Sequence, residues 1–338
     1  MMNRHQRKYL SLSVLASTAF GALLLCNPSP GLAVPILGSD LASFAVLGAS
    51  TVTNVPTSTI DGNVGVYAGT AITGSAVGEI VFTSGSLQAT TALAASAQDQ
   101  LTAARTNLGL LAGSATQLAS SQLAGLTLNS GVYSFSTNAG GAALLTGTSA
   151  VPGVLTLDGQ GNANAHWVFL IDSTLTTSAA TTGTTPSSVV KVINTGSGAG
   201  IFWKVDSDAV GATIDTYSKF QGNILALADI HLLTGATIGC GRALSDTKQV
   251  TMQMNTIGIG CGAETGGVGS NGFSGGLTVP VGGGTPTFLP FTSVGGGGAT
   301  APEPTSLLLI GTGLVGLVFA VRRRKTSAGG HVIDELPV

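Results

Sequence analysis

The chain has 338 residues, of which only 8% are charged, with 13 Lys and Arg against 15 Asp and Glu. Seven of the basic residues lie near the ends (Arg4, Arg7 and Lys8, then Arg322, Arg323, Arg324 and Lys325), leaving six between residues 34 and 301 to face twelve acidic ones. A mildly acidic body without a basic stripe lacks the electrostatic footprint that a phosphate backbone needs, which excludes nucleic acid as a partner.

Residues 1–33 carry a basic start, an apolar stretch from about 10 to 25, and Gly31-Leu32-Ala33 as a small-residue cleavage site. They read as a secretory signal peptide cut after Ala33. A retained anchor and lipidation at Cys26 are the alternatives, although the leucines before Cys26 lack the small residue a lipidation site wants. Removing the signal takes Cys26 with it and leaves Cys240 and Cys261, an even pair in an oxidising compartment that reads as a disulfide. With no His nearby to complete a metal site, no metal or cofactor is expected.

The body, 34–263, reads as short strands. GVLTLDG, HWVFLID, SVVKVIN, IFWKVDS and GNILALADI alternate or run apolar with β-branched residues, and Gly, Asn, Asp and Ser bound them. Turn signals recur every fifteen to twenty-odd residues, as in a solenoid whose rungs bury their inner side chains against one another. One helix interrupts this pattern at about 87–112. Ala94, Ala97, Leu101, Ala104, Leu108 and Leu111 recur every three or four residues, Gln98, Asp99, Gln100 and Arg105 fall elsewhere around the cylinder, and Gly113 is placed to end it. A lone amphipathic helix cannot cover its own stripe, so it is expected to lie along the solenoid.

Residues 264–300 turn glycine-rich and read as a flexible spacer. Then come Pro302-Glu303-Pro304, an uncharged stretch at 305–321, the basic cluster Arg322, Arg323, Arg324 and Lys325, and a tail at 326–338. The apolar stretch is near the lower limit for a membrane-spanning helix. Its basic end would stay cytoplasmic, with the tail, leaving the body on the outside.

This order at 301–325 resembles the PEP-CTERM sorting signal of Gram-negative bacteria. The resemblance implies processing by a membrane exosortase and release from, or attachment to, the cell surface. The body has a resemblance of its own. SDLASFAVLGASTVTN, STIDGNVGV, the helix, GVLTLDGQGNANAHWVFLID, IFWKVDS and FQGNILALADIHLLTGATIGCGRAL, in that order, resemble the microbial ice-binding protein family. What this implies is a right-handed discontinuous β-solenoid (β-helix) with one long α-helix packed alongside, and a flat face that adsorbs to ice. Some members carry there Thr, Ala or Gly, any residue, then Thr or Asn. The pattern is matched by Thr70 to Thr73, Thr182 to Thr185 and Thr234 to Thr237, so the expected ice contacts are Thr70, Thr73, Thr182, Thr185, Thr234 and Thr237.

Physics makes such a face reasonable. Outward threonines on stacked strands form a grid with ~4.8 Å between strands and ~6.6 Å along them. Branching at Cβ fixes the hydroxyl and methyl before binding. The chain has 38 threonines between residues 34 and 301, enough to populate such a grid or simply the outside of any secreted solenoid. Lys219 and Asp215 would interrupt the face if they lay on it.

Catalytic readings are weak. Asp206 and Asp208 share one side of a strand, with Asp215 following, but a solvated strand end explains them as well as acid–base or metal chemistry does. His166 and His231 stand alone, and no Ser, His and Asp set has a nucleophile motif. Trp167, Trp203 and Phe169 suit the solenoid interior. The chain is therefore expected to be an exported, non-enzymatic ice-binding protein whose partners are ice and the sorting machinery in the membrane. The alternative is a cell-surface or biofilm matrix protein of the same fold that binds exopolysaccharide. A polysaccharide-acting enzyme is the third reading.

Overall fold

The computed structural model describes residues 33–136, 140–181 and 185–294. The expected signal peptide apart from Ala33, the sorting segment with its apolar stretch and tail, and Thr182 lie outside the described residues.

Alternation with period two builds the coils. Along Gly153–Asn162, Leu155 and Leu157 are buried while Val154, Thr156 and Asp158 turn outward. Each repeat of this kind crosses three faces in turn, and neighbouring coils pair in parallel. One face is a seven-stranded sheet in the order Ala143–Leu145, Leu175–Thr177, Ala212–Ile214, Ile230–Leu232, Val250–Gln253, Thr51–Val55, Ala71–Thr73. The other two faces belong to one fifteen-stranded sheet, bent at register shifts between Asp158 and Asn162 and between Phe220 and Gly222. Glycine is required at this bend. Gly241 has φ +153°, and a Cβ there would lie 2.0 Å from the carbonyl oxygen of Gly222.

Strand order shows the solenoid to be discontinuous. The strand Val250–Gln253 of the last coil pairs with Thr51–Val55 of the first, so the N-terminal coils form one end of the stack. After the helix the chain restarts at the opposite end with Thr116–Leu118 and returns coil by coil. Down the interior runs an aromatic stack, Tyr133, Phe169, Trp203 and Phe220, with centroid separations of 5.7, 3.9 and 5.0 Å. Trp167 is also fully buried, and its indole donates to the carbonyl of Leu128.

The helix spans Ala92–Gly109, shorter than the 87–112 read from periodicity. Leu87–Ala89 is a strand on the coil Asn63–Val66, and Thr91 caps the helix by accepting from the backbone N–H of Ala94 at 3.1 Å. Gly113 falls in a following 3-10 turn, Ala112–Ser114, instead of ending the helix. All six stripe residues are buried against Leu37, Leu41, Phe44, Leu47, Val168, Phe202, Leu225 and Leu244. The helix thus covers a second apolar layer, made of side chains that point outward from one face of the solenoid.

Two residues placed away from the stripe are also buried, Gln98 and Arg105. Arg105 donates to the carbonyls of Val205 (3.0 Å) and Leu225 (2.8 Å) and to Asp206 (2.8 Å), and it pairs with Asp246 (3.2 Å). A buried guanidinium needs such partners. Desolvation lowers its pKa despite the two carboxylates.

The expected spacer is corrected over 264–294. Phe273, Leu277 and Val279 are buried, Leu277–Pro280 pairs with Ala33–Pro35 and Thr287–Phe288, and a Cys240–Cys261 disulfide fixes the start of the segment. Arg242, fully buried, ties it to the rest. It donates to the carbonyls of Gly272 (3.2 Å) and Ala42 (2.6 Å) and to the side chains of Asn271 (3.0 Å) and Asn223 (2.8 Å). Glycine here permits close packing that composition alone reads as disorder.

Candidate functional site

The seven-stranded sheet places one outward residue per strand in a single row. Pairing runs Leu144, Thr176, Thr213, His231, Thr251, Thr53, Thr73, with five threonines among seven positions and no register shift. Six steps of ~4.8 Å make this row ~29 Å long. Within the sheet the outward residues lie between inward ones such as Ala212 and Ile214 or Val250 and Met252, so core packing fixes the strands that carry them; Thr73, at the edge, ends its strand. Contacts within the row hold it further. Thr73 donates to Thr53 at 3.3 Å, and a ring nitrogen of His231 lies 2.9 Å from the Thr251 hydroxyl.

The row contains no Asp, Glu, Lys or Arg. Two carboxylates that flank its strands are held in hydrogen bonds. Asp229 accepts from the backbone N–H of Gln249 (3.3 Å), and Asp215 accepts from that of Thr216 (2.6 Å). Asp215 lies in the bend after Ala212–Ile214, off the row.

The adjoining face carries a second row, Val154, Val189, Lys219, Thr237, Thr256, Thr59, Val81. Three consecutive threonines occur here too, but Lys219 abuts them, and Lys191 lies in the next row beside Thr156. Both lysines are exposed. The third face is covered by the helix.

The five described threonines picked by pattern do not share a plane. Thr73 belongs to the row on the seven-stranded sheet, and Thr70 precedes its strand. Thr237 belongs to the lysine-bearing face. Thr234 lies in the bend between the two faces and donates to the Gln253 side chain at 3.0 Å. Thr185 is exposed in the connection between Leu175–Thr177 and Ser188–Thr195, at the same edge. Gly235, at φ +67°, turns the chain within the Thr234–Thr237 motif, so that motif marks an edge of the prism. Thr176, Thr213, Thr251 and Thr53, which share the row, do not belong to any match of the four-residue pattern. The signal that would have found them is a threonine set one residue from an inward apolar side chain, as in Ala212-Thr213-Ile214 and Val250-Thr251-Met252.

Asp206 and His166 have structural partners. Asp206 pairs with Arg105 and Lys204. His166 stacks on Phe288 (4.1 Å between centroids), and burial lowers its pKa to about 4. Asp158 is held below the ordinary carboxylate range by the N–H of Gln160 and the amide of Asn194. Among the described residues no cluster of His, Cys, Asp and Glu could hold a metal ion.

The family model described as ice-binding-like matches residues 46–258, more than half of the chain. The chain belongs to the ice-binding-like family. An ice-binding protein of Nostoc sp. (strain HG1) is 35% identical over 328 residues, covering 96% of this chain and 98% of the relative. Among solved structures, an ice binding protein from an Antarctic Biological Consortium superposes with a TM-score of 0.56 at 30% identity, covering 66% of this chain and 90% of the other. One from Antarctomyces psychrotrophicus gives 0.55 at 30%, covering 67% and 98%. Beyond the ice-binding-like domain, residues 300–325 match the PEP-CTERM protein-sorting motif. Among the described residues no helix is long and apolar enough to cross a membrane.

Proposed function

We propose that this ice-binding-like chain is exported and adsorbs to ice through its seven-stranded sheet. The observation that carries this reading is the in-register row of Thr176, Thr213, Thr251, Thr53 and Thr73 on a sheet whose outward row contains no Asp, Glu, Lys or Arg. Hydroxyl and methyl groups fixed at ~4.8 Å intervals can order water in a lattice before binding, so little side-chain freedom is lost on adsorption. The motif at 300–325 directs the exported chain to exosortase-type sorting, with 305–321 as the membrane segment and the cell surface or medium as destination. Nothing in this reading uses covalent chemistry, so the protein is not an enzyme.

Residues 34–294 in solution should show thermal hysteresis and inhibit ice recrystallisation. Thr213→Tyr with Thr251→Tyr should reduce both to background, while Thr256→Tyr leaves them. The reverse pattern would move the ice contact to the lysine-bearing face, where Thr237, Thr256 and Thr59 are consecutive. For that face a different ligand is favoured. Lys191 and Lys219 are exposed, and neither makes an ion pair among the described residues, which suits an acidic exopolysaccharide in a surface matrix. Binding to a carboxylated glycan that disappears in a K191T/K219T variant would support this second role.

A further inference from the structure

The last described residues do not trail from the molecule but run along one edge of the prism. Residues 288–294 follow the bend at 160–166, where the lysine-bearing face meets the helix-covered face. The backbone N–H of Val294 donates to Gly161 (2.8 Å), Ser293 pairs with Asn162, and the Asn164 amide donates to the Pro290 carbonyl (2.9 Å) and the Thr292 hydroxyl (3.0 Å). In a three-sided coil, the edge between two faces is opposite the third. The chain therefore leaves from the edge opposite the threonine row.

That edge is also apolar. Phe291 is 65% exposed, Val294 48% and Phe288 42%, three large side chains within seven residues of one another. Nearby Asp158 bonds back onto Gln160 and Asn194. Eleven residues after Val294 the uncharged stretch 305–321 begins, and Arg322 to Lys325 follow it. Even fully extended, that connection spans at most ~38 Å, so a bilayer holding 305–321 is within reach of the edge.

We propose that Phe288, Phe291 and Val294 form a seat for the outer interface of a phospholipid bilayer. While the C-terminal segment is in the membrane, the seat holds the solenoid with its threonine row facing away. Aromatic and aliphatic side chains at the headgroup boundary bury apolar area that otherwise faces water. The row then faces the aqueous side, away from the bilayer. The inference rests on the reading of 305–321 as a membrane segment.

The test uses the chain as it stands after signal removal, residues 34–338, in phosphatidylethanolamine/phosphatidylglycerol vesicles. An environment-sensitive fluorophore is attached through Phe291→Cys on the seat or Thr251→Cys on the row. The chain should float with the vesicles after alkaline wash. The label at position 291 should be quenched several-fold more by shallow lipid-borne quenchers than the label at position 251. F288S/V294S should abolish that difference without preventing flotation. A chain that floats with position 291 unquenched, or with both positions quenched alike, overturns the seat alone. A chain that does not float overturns the anchoring reading and the seat with it.

Discussion

Replacing Arg105 by Met removes the clamp between helix and solenoid while keeping an unbranched apolar stem. Four contacts go at once, to the carbonyls of Val205 and Leu225 and to the carboxylates of Asp206 and Asp246. The Asp246 side chain is 9% exposed, so its charge cannot be rehydrated where it stands; Asp206, at 31%, can be, and it keeps Lys204. Breaking a buried pair from one side costs about 3–5 kcal/mol, and the partial exposure of Asp206 points to the lower end, about 3 kcal/mol. For a domain of this size that is a fall in Tm on the order of 6–12 °C. Calorimetry at neutral pH reads the fall, and hydrogen exchange should place the loss at Ala92–Gly109 and the strand ends it covers. Arg105→Lys should recover only part, since an ammonium cannot bridge four acceptors arranged for a planar fork. Ice recrystallisation inhibition at 0 °C should survive in both variants, because the threonine row is on another face. A shift below about 2 °C for Arg105→Met would refute the clamp and leave apolar burial as what holds the helix.

Other consequences are open to measurement. Burial lowers the His166 pKa to about 4, below the ordinary value of about 6.5, so the unfolded chain takes up a proton before the folded one does. Stability should therefore be lost as pH falls from about 6.5 to 4, by roughly 2–3 kcal/mol, with exchange at residues 287–294 rising first; His166→Gln should flatten that part of the pH profile. Reducing Cys240–Cys261, which closes a span of 21 residues, should cost about 3 kcal/mol in the chain-entropy model, read as a drop in denaturation midpoint. Gly241→Ala should prevent folding to a soluble monomer, since its Cβ would overlap the Gly222 carbonyl, whereas Gly125→Ala, which meets nothing within 4 Å, should cost only the strain of its positive φ. Thr213→Val, which keeps shape and removes a hydroxyl, should reduce thermal hysteresis less than Thr213→Tyr if the methyl groups of the row carry part of the contact.

What the sequence determined is whatever depends on near neighbours. A period of two in GVLTLDG set inside from outside, a period between three and four set the helical stripe, and scarce charge excluded nucleic acid. Family resemblance in runs such as Phe220 to Ala226 gave the fold, because bends and buried amides leave local signatures at Gly222, Asn223 and Gly241. The tertiary structure decided what depends on register between coils. Thr251 and Thr53 are almost 200 residues apart and become adjacent only because the last coil stacks on the first. A four-residue pattern cannot report this, which is why it picks Thr234 in a bend and Thr237 on the lysine-bearing face but not Thr176 and Thr213 in the row. Residues 264–294 and Arg105 differed for the same reason: glycines that look costly to order, and a cation that looks solvated, find their partners only across the folded surface.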